Sequence, residues 1–247
     1  MAVRKIKLTV QYDGSGYHGW QVQPGEKTIQ ETLTEAVSSL IGRRTFVHGA
    51  SRTDSGVHAL GQAALFETDS PIPTENFRDA INDRLPQDIV VTEATEASRK
   101  FDLISGPTSK LYRYTIYTGR LRPVLDVNHY WHLPNRLDVK AMQGAASLIV
   151  GRKDFKSFAS AKDKRESSVR TVFRCEVTSE DERIYVDVEG DGFLYNMVRN
   201  IVGTLVEIGI GRWERDKIKE IIEARDRQAA GRLAPPNGLC LMWIKYD

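Results

Sequence analysis

At 247 residues, 40% hydrophobic and 28% charged, the chain has an ordinary globular composition, with apolar content for one large core or two small ones. Lys and Arg number 35 against 33 Asp and Glu, so the net charge of +2 excludes an overall cationic coat and leaves nucleic-acid binding to local patches. No run approaches the roughly 20 apolar residues of a membrane span. Cys175 and Cys240 show no CxxC or Cys/His ligand spacing, which argues against a structural metal.

Ile6, Leu8, Val10 and Tyr12 alternate with Lys7, Thr9 and Gln11, which predicts a half-buried strand. The residues before it are charged and hold no secretory apolar core, so the expected location is the cytoplasm. Gly14-Ser15-Gly16-Tyr17-His18-Gly19 follows and matches GxGxxG literally. The next helix begins near Thr28 rather than at the last glycine, so a tight glycine turn carrying exposed aromatics is expected instead of a dinucleotide site. Thr28 opens that helix with Glu31 as the far half of a capping box, and Ile29, Leu33, Ala36, Val37 and Leu40 share one face. Strands are expected over 45–51 and 61–67. A second helix capped by Thr74 carries Phe77, Ile81 and Leu85, and a strand over 89–93 closes the set. The order β-α-β-β-α-β is the ferredoxin-like one.

Gly106-Pro107 marks the expected boundary between two domains, 1–105 and 106–247. Beyond it, strands are expected over 111–118, over the alternation Val169, Thr171, Phe173, Cys175, Val177, and over Ile184, Val186, Val188. Helices are expected at Val139–Ile149, along the apolar run from Leu194 to Leu205, and at 216–225, before a last strand over 239–246. Lys110 to Arg122 holds four basic residues and no acidic one, and Arg152 to Arg174 holds eight basic and three acidic. Charge alone reads these as solvated strand ends and loops, with a one-sided basic surface as the alternative.

Between two strands lies Ser51-Arg52-Thr53-Asp54-Ser55-Gly56-Val57-His58-Ala59-Leu60-Gly61-Gln62. Spacing alone makes Asp54 a turn residue bonding its own backbone. The run Arg-Thr-Asp-x-Gly-Val-His-Ala then Gly-Gln, however, resembles the signature of the TruA family of tRNA pseudouridine synthases. The similarity extends to Tyr12-Asp13-Gly14, Gly19-Trp20-Gln21, Thr28-Ile29-Gln30, Lys110-Leu111-Tyr112-Arg113-Tyr114, Gly192-Phe193-Leu194, Asn196-Met197-Val198-Arg199 and Ala234-Pro235-Pro236. Ser51 and Ser55 stand where many members have Gly and Ala; they flank the aspartate and leave the expected activity intact.

The resemblance implies an α+β protein of two ferredoxin-like (RNP-like) domains, forming an extended mixed or antiparallel sheet with the active site in a cleft between them. It implies a homodimer that converts uridine to pseudouridine in the tRNA anticodon stem-loop at positions 38, 39 and 40, with a pseudouridine synthase acting on other RNA sites, or a non-catalytic RNA-binding protein of the same fold, as the alternatives. Asp54 takes the nucleophile position. Attack on C1′, addition to the base and removal of the ribose 2′ proton all stay open, and each needs the carboxylate ionised. Arg199 is its implied charge partner and Tyr112 the implied aromatic against the uracil. Arg52 is implied to hold a flipped nucleotide, with Lys110 and Arg113 toward phosphates. His58 either bonds RNA or braces the loop, and bracing is favoured. The isomerisation consumes no water, redox equivalent or phosphate, so no metal or organic cofactor is expected.

Overall fold

Hydrophobic alternation sets the first element, β1 (Arg4–Tyr12), on which Ile6, Leu8, Val10 and Tyr12 are all buried. The computed structural model describes residues 2–163 and 165–247. It divides into a first unit, the residues up to Thr108 together with Cys240–Asp247, and a second, Ser109–Leu239.

In the first unit β1 is followed by α1 (Ile29–Ile41), β2 (His48–Gly49), β3 (His58–Thr68), α2 (Phe77–Asn82) and β4 (Ile89–Ala97). β1 lies between β4 and β3, antiparallel to both, and β2 adds to the far edge of β3. Thr28 caps α1 by accepting the Glu31 N–H at 3.4 Å, but the Glu31 carboxylate goes to Arg44 at 2.8 Å, so only half of the expected capping box forms. Gly42 ends the helix at φ +79°, the left-handed position glycine occupies without cost.

Three local expectations change here. The strand over 45–51 contracts to His48–Gly49, paired with β3 at His48↔Leu65 and Gly49↔Ala64 and followed by an Ala50 N–H bond to Ala63 O, while Phe46 faces solvent. Thr74 makes no cap; its hydroxyl accepts from Arg4 and reaches Glu96, tying β1 and β4 together. Tyr17 and Trp20 are buried rather than displayed by the glycine turn, each 1% exposed.

The second unit contains the body of β5 (Pro107–Tyr117), then β6 (Trp131–His132), α3 (Val139–Ala146), β7 (Gly151–Asp154), β8 (Val169–Glu180), β9 (Arg183–Gly190), α4 (Met197–Gly209) and α5 (Lys217–Ala224). β9 is antiparallel to β5 and β8, β7 borders β8, and β6 runs parallel to β5. The alternation expected along β8 is interrupted by a bulge between Val172 and Arg174. Val172, Cys175 and Val177 therefore face inward and Phe173 outward. α4 begins at Met197, three residues after the apolar run does, and Ile201, Val202, Leu205 and Val206 are fully buried.

β10 (Leu239–Tyr246) then joins the first unit, parallel to β3 at Cys240↔His58 and Leu241↔Ala59. A boundary drawn in sequence order at 105/106 does not express this return.

Candidate active site

In the first unit Asp54 sits half-buried on the loop between β2 and β3, and the residues directly before and after it are tied down. Thr53 is buried, with its hydroxyl 2.8 Å from the Tyr12 hydroxyl and its carbonyl accepting the Trp20 N–H at 3.0 Å. The Gln62 side chain bridges the loop's start, donating to Ser51 O at 2.6 Å and accepting from Ser51 N–H at 3.1 Å. On the other side the Ser55 hydroxyl and Gly56 N–H both donate to Tyr17 O, at 3.2 and 3.3 Å. Val57 N–H donates to Asp54 O at 3.1 Å, a turn completed by Gly56 at φ +76°.

The glycine string explains itself at this loop. Gly19, at φ +84°, brings its Cα so near that a Cβ would stand 2.6 Å from Thr53 O, and a Cβ on Gly14 would collide with the Val57 carbonyl. The segment Gly14–Gly19 is thus a backbone-on-backbone brace for the aspartate loop. That packing is a use for glycines that GxGxxG spacing alone does not distinguish from phosphate binding.

Arg52 is exposed and makes no ion pair among the described residues. His58 is buried, with Nδ1 3.1 Å from both Gly14 N and Asp13 Oδ1. One nitrogen cannot accept from the first and donate to the second at once, yet either tautomer fastens β3 to the glycine segment.

In the second unit Tyr112 lies on β5 opposite Val188, 6% exposed, its ring edge-to-face with Phe193 at 5.4 Å. Tyr114, two residues on along the same face, is fully buried and donates to Pro235 O at 2.7 Å. Arg113 points to the opposite side and forms a two-pronged pair with the buried Asp187, both bonds 2.8 Å. Lys110 is half-buried, and burial first, then repulsion from Arg165, pushes its amine down to about 8.

Arg199 stands in the first turn of α4, half-buried in an otherwise apolar helix. Its Nε donates to Ala234 O at 2.8 Å and its Nη1 to Asn196 Oδ1 at 3.1 Å. Sequence reading did not single out Tyr12, Gln62 or Asn196. Asn196 lay inside the resembling segment, three residues before Arg199, but nothing in the pattern indicated its backbone conformation.

A profile of the family described as tRNA pseudouridine synthase matches residues 8–103 and 145–247. A protein of Acetivibrio thermocellus named tRNA pseudouridine synthase A is 45% identical over 244 residues, spanning 99% of this chain and all of that one. A Clostridium perfringens protein named tRNA pseudouridine synthase A 2 is 43% identical over the same shares. Among solved structures, a Cbf5-Nop10-Gar1 complex matches at 12% identity and TM-score 0.35, covering 81% of this chain and 54% of that one. The chain belongs to the tRNA pseudouridine synthase family, and with it to the RNA-modifying isomerases.

Proposed function

We propose that this chain converts uridine to pseudouridine at positions 38, 39 and 40 of the tRNA anticodon stem-loop, with Asp54 as the reacting carboxylate. The observation that carries this reading is the construction of the Asp54 loop. Seven hydrogen bonds and two glycines that admit no Cβ hold the backbone on both sides of one half-buried aspartate. A surface turn has no need of such bracing, whereas a group that must meet a substrate atom within a few tenths of an ångström does.

In the reaction the C1′–N1 bond breaks, the freed base turns, and a C1′–C5 bond forms; C5 gives up a proton and N1 gains one. Asp54 acts on the nucleotide as an anion. Arg199 stabilises that anion, and Tyr112 meets the uracil face while its hydroxyl assists removal of the C5 proton. Arg52, exposed two residues before Asp54, holds the nucleotide once it leaves the stack, a displacement costing a few kcal/mol. Lys110 and the basic stretches meet phosphates, while Arg113 serves chiefly its pair with Asp187. His58 braces the loop. The protein acts as a homodimer in the cytoplasm and uses no metal or organic cofactor.

The test incubates unmodified tRNA transcripts with the wild-type protein and with Asp54→Ala, then maps pseudouridine along each RNA. Anticodon stem-loop modification by wild type alone is the expected result. Modification elsewhere overturns the target, and equal modification by both proteins overturns the role of Asp54.

A further inference from the structure

We propose that Asn196 is a positioning residue for the reaction, its side-chain carbonyl joining the backbone carbonyl of Ala234 to fix the plane of the Arg199 guanidinium. The inference rests on the reading of Arg199 as a group of the reaction.

Asn196 precedes α4 at φ +64° and ψ +7°, in the left-handed region that few residues with a side chain occupy and that Asn tolerates best. An asparagine at this place in a helix ordinarily turns its oxygen onto the N–H two or three residues ahead. Asn196 makes no such cap. Its Oδ1 accepts instead from Arg199 Nη1, 3.1 Å away, while its backbone carbonyl takes the Asn200 N–H at 3.0 Å. Arg199 Nε donates to Ala234 O at 2.8 Å, and Ala234 N–H returns to Arg199 O at 3.3 Å. Two N–H groups on different nitrogens are thereby committed. The guanidinium cannot rotate about its long axis without breaking one of them, so its remaining donors keep a set direction.

Both holders are themselves held. Pro235 O, next to Ala234, accepts from the buried Tyr114 hydroxyl, and the Arg232 carbonyl packs so close to Gly203 that no Cβ fits there. On the other flank Tyr195 N–H donates to Asp163 Oδ2 at 2.7 Å, and Tyr195 O accepts from Ser160 N–H at 2.8 Å. The Asp163 side chain is only 6% exposed; burial opposes its ionisation, but the N–H groups of Tyr195 and Arg165 and the charges of Arg165 and Arg170 outweigh it and hold the carboxyl below the usual carboxylate range. The turn that presents Asn196 is therefore fixed before any RNA arrives, and Arg199 meets its substrate without first being ordered.

Asn196→Gly isolates the effect, because glycine adopts φ +64° freely and only the acceptor is lost. The expected result is a kcat on tRNA lower by roughly ten- to a hundred-fold. KM and the melting temperature should stay near wild type. Asn196→Asp, which keeps an acceptor and tolerates the same backbone, restores most of the kcat. In an Arg199→Lys background Asn196→Gly has little further effect. Wild-type kcat in Asn196→Gly, or a loss that simply multiplies with that of Arg199→Lys, overturns the proposal. Arg199→Ala runs alongside. If it turns over like wild type, the underlying role of Arg199 has failed; if it is inactive while Asn196→Gly is not, only the positioning role has.

Discussion

Lys110 shows how much one side chain's surroundings decide. An unfolded lysine titrates near 10.4, and burial with the repulsion of Arg165 brings this one to about 8 in the folded chain. A lowered amine pKa means the folded state holds its proton less firmly than the unfolded one. The penalty is therefore in force below about pH 8 and is relieved as pH climbs toward 10.4. Between those limits wild-type stability should rise relative to Lys110→Met by order 1–2 kcal/mol, less than the full shift because the amine keeps partial solvent contact. Urea melts of both proteins at pH 7, 8, 9 and 10 check this, and a constant difference across the series refutes it. At this scale the sequence was uneven as a guide. Asp54, Tyr112 and Arg199 stand out as candidates only through family likeness, since an aspartate beside glycine and a tyrosine in a strand have commoner uses. The partners of Arg199 were not legible at all, because Ala234 lies 35 residues away and the left-handed turn at Asn196 has no local signature.

Elements were easier to read where periodicity governs them and harder where tertiary contact does. Burial alternates cleanly along β1, as the pattern Ile6, Leu8, Val10, Tyr12 requires. The bulge in β8 reverses the facing of Phe173 and leaves no trace in residue type. β10 was expected as a strand, but its partner was not, because pairing to β3 spans some 180 residues of sequence and no local pattern encodes it. That pairing carries weight. Leu241 is fully buried, the Gly61 backbone leaves no room for a Cβ against Met242, and the Tyr246 hydroxyl donates to Leu103 O at 2.9 Å. A chain ending at Gly238 loses all of these contacts, and the burial of Leu241 and Tyr246 with one hydrogen bond amounts to roughly 3–5 kcal/mol. Its urea midpoint should drop sharply and its pseudouridine formation vanish. A midpoint equal to wild type would show that β3 does not depend on the strand beside it.

For the molecule as a whole, a net charge of +2 contributes little general attraction to a polyanion, so affinity for tRNA must come from where the cations lie. Arg120 and Arg122 are exposed and form no ion pair among the described residues. If each neutralises one phosphate, replacing both with Gln should flatten the slope of log affinity against log salt by about 1–2 while kcat at saturating tRNA holds. Filter binding from low to moderate salt measures this, and an unchanged slope would remove both arginines from the RNA interface. The return of β10 to β3 has a last implication, for the order in which the protein is made. β3 starts at His58, four residues beyond Asp54, yet the strand that completes its edge is translated only after residues 109–239. The aspartate unit is therefore encoded early and finished late. A nascent chain stalled after β3 but before β10 carries every residue of the Asp54 loop and still lacks the strand that borders β3. Premature stops late in the gene should accordingly yield silent protein rather than weakly active enzyme.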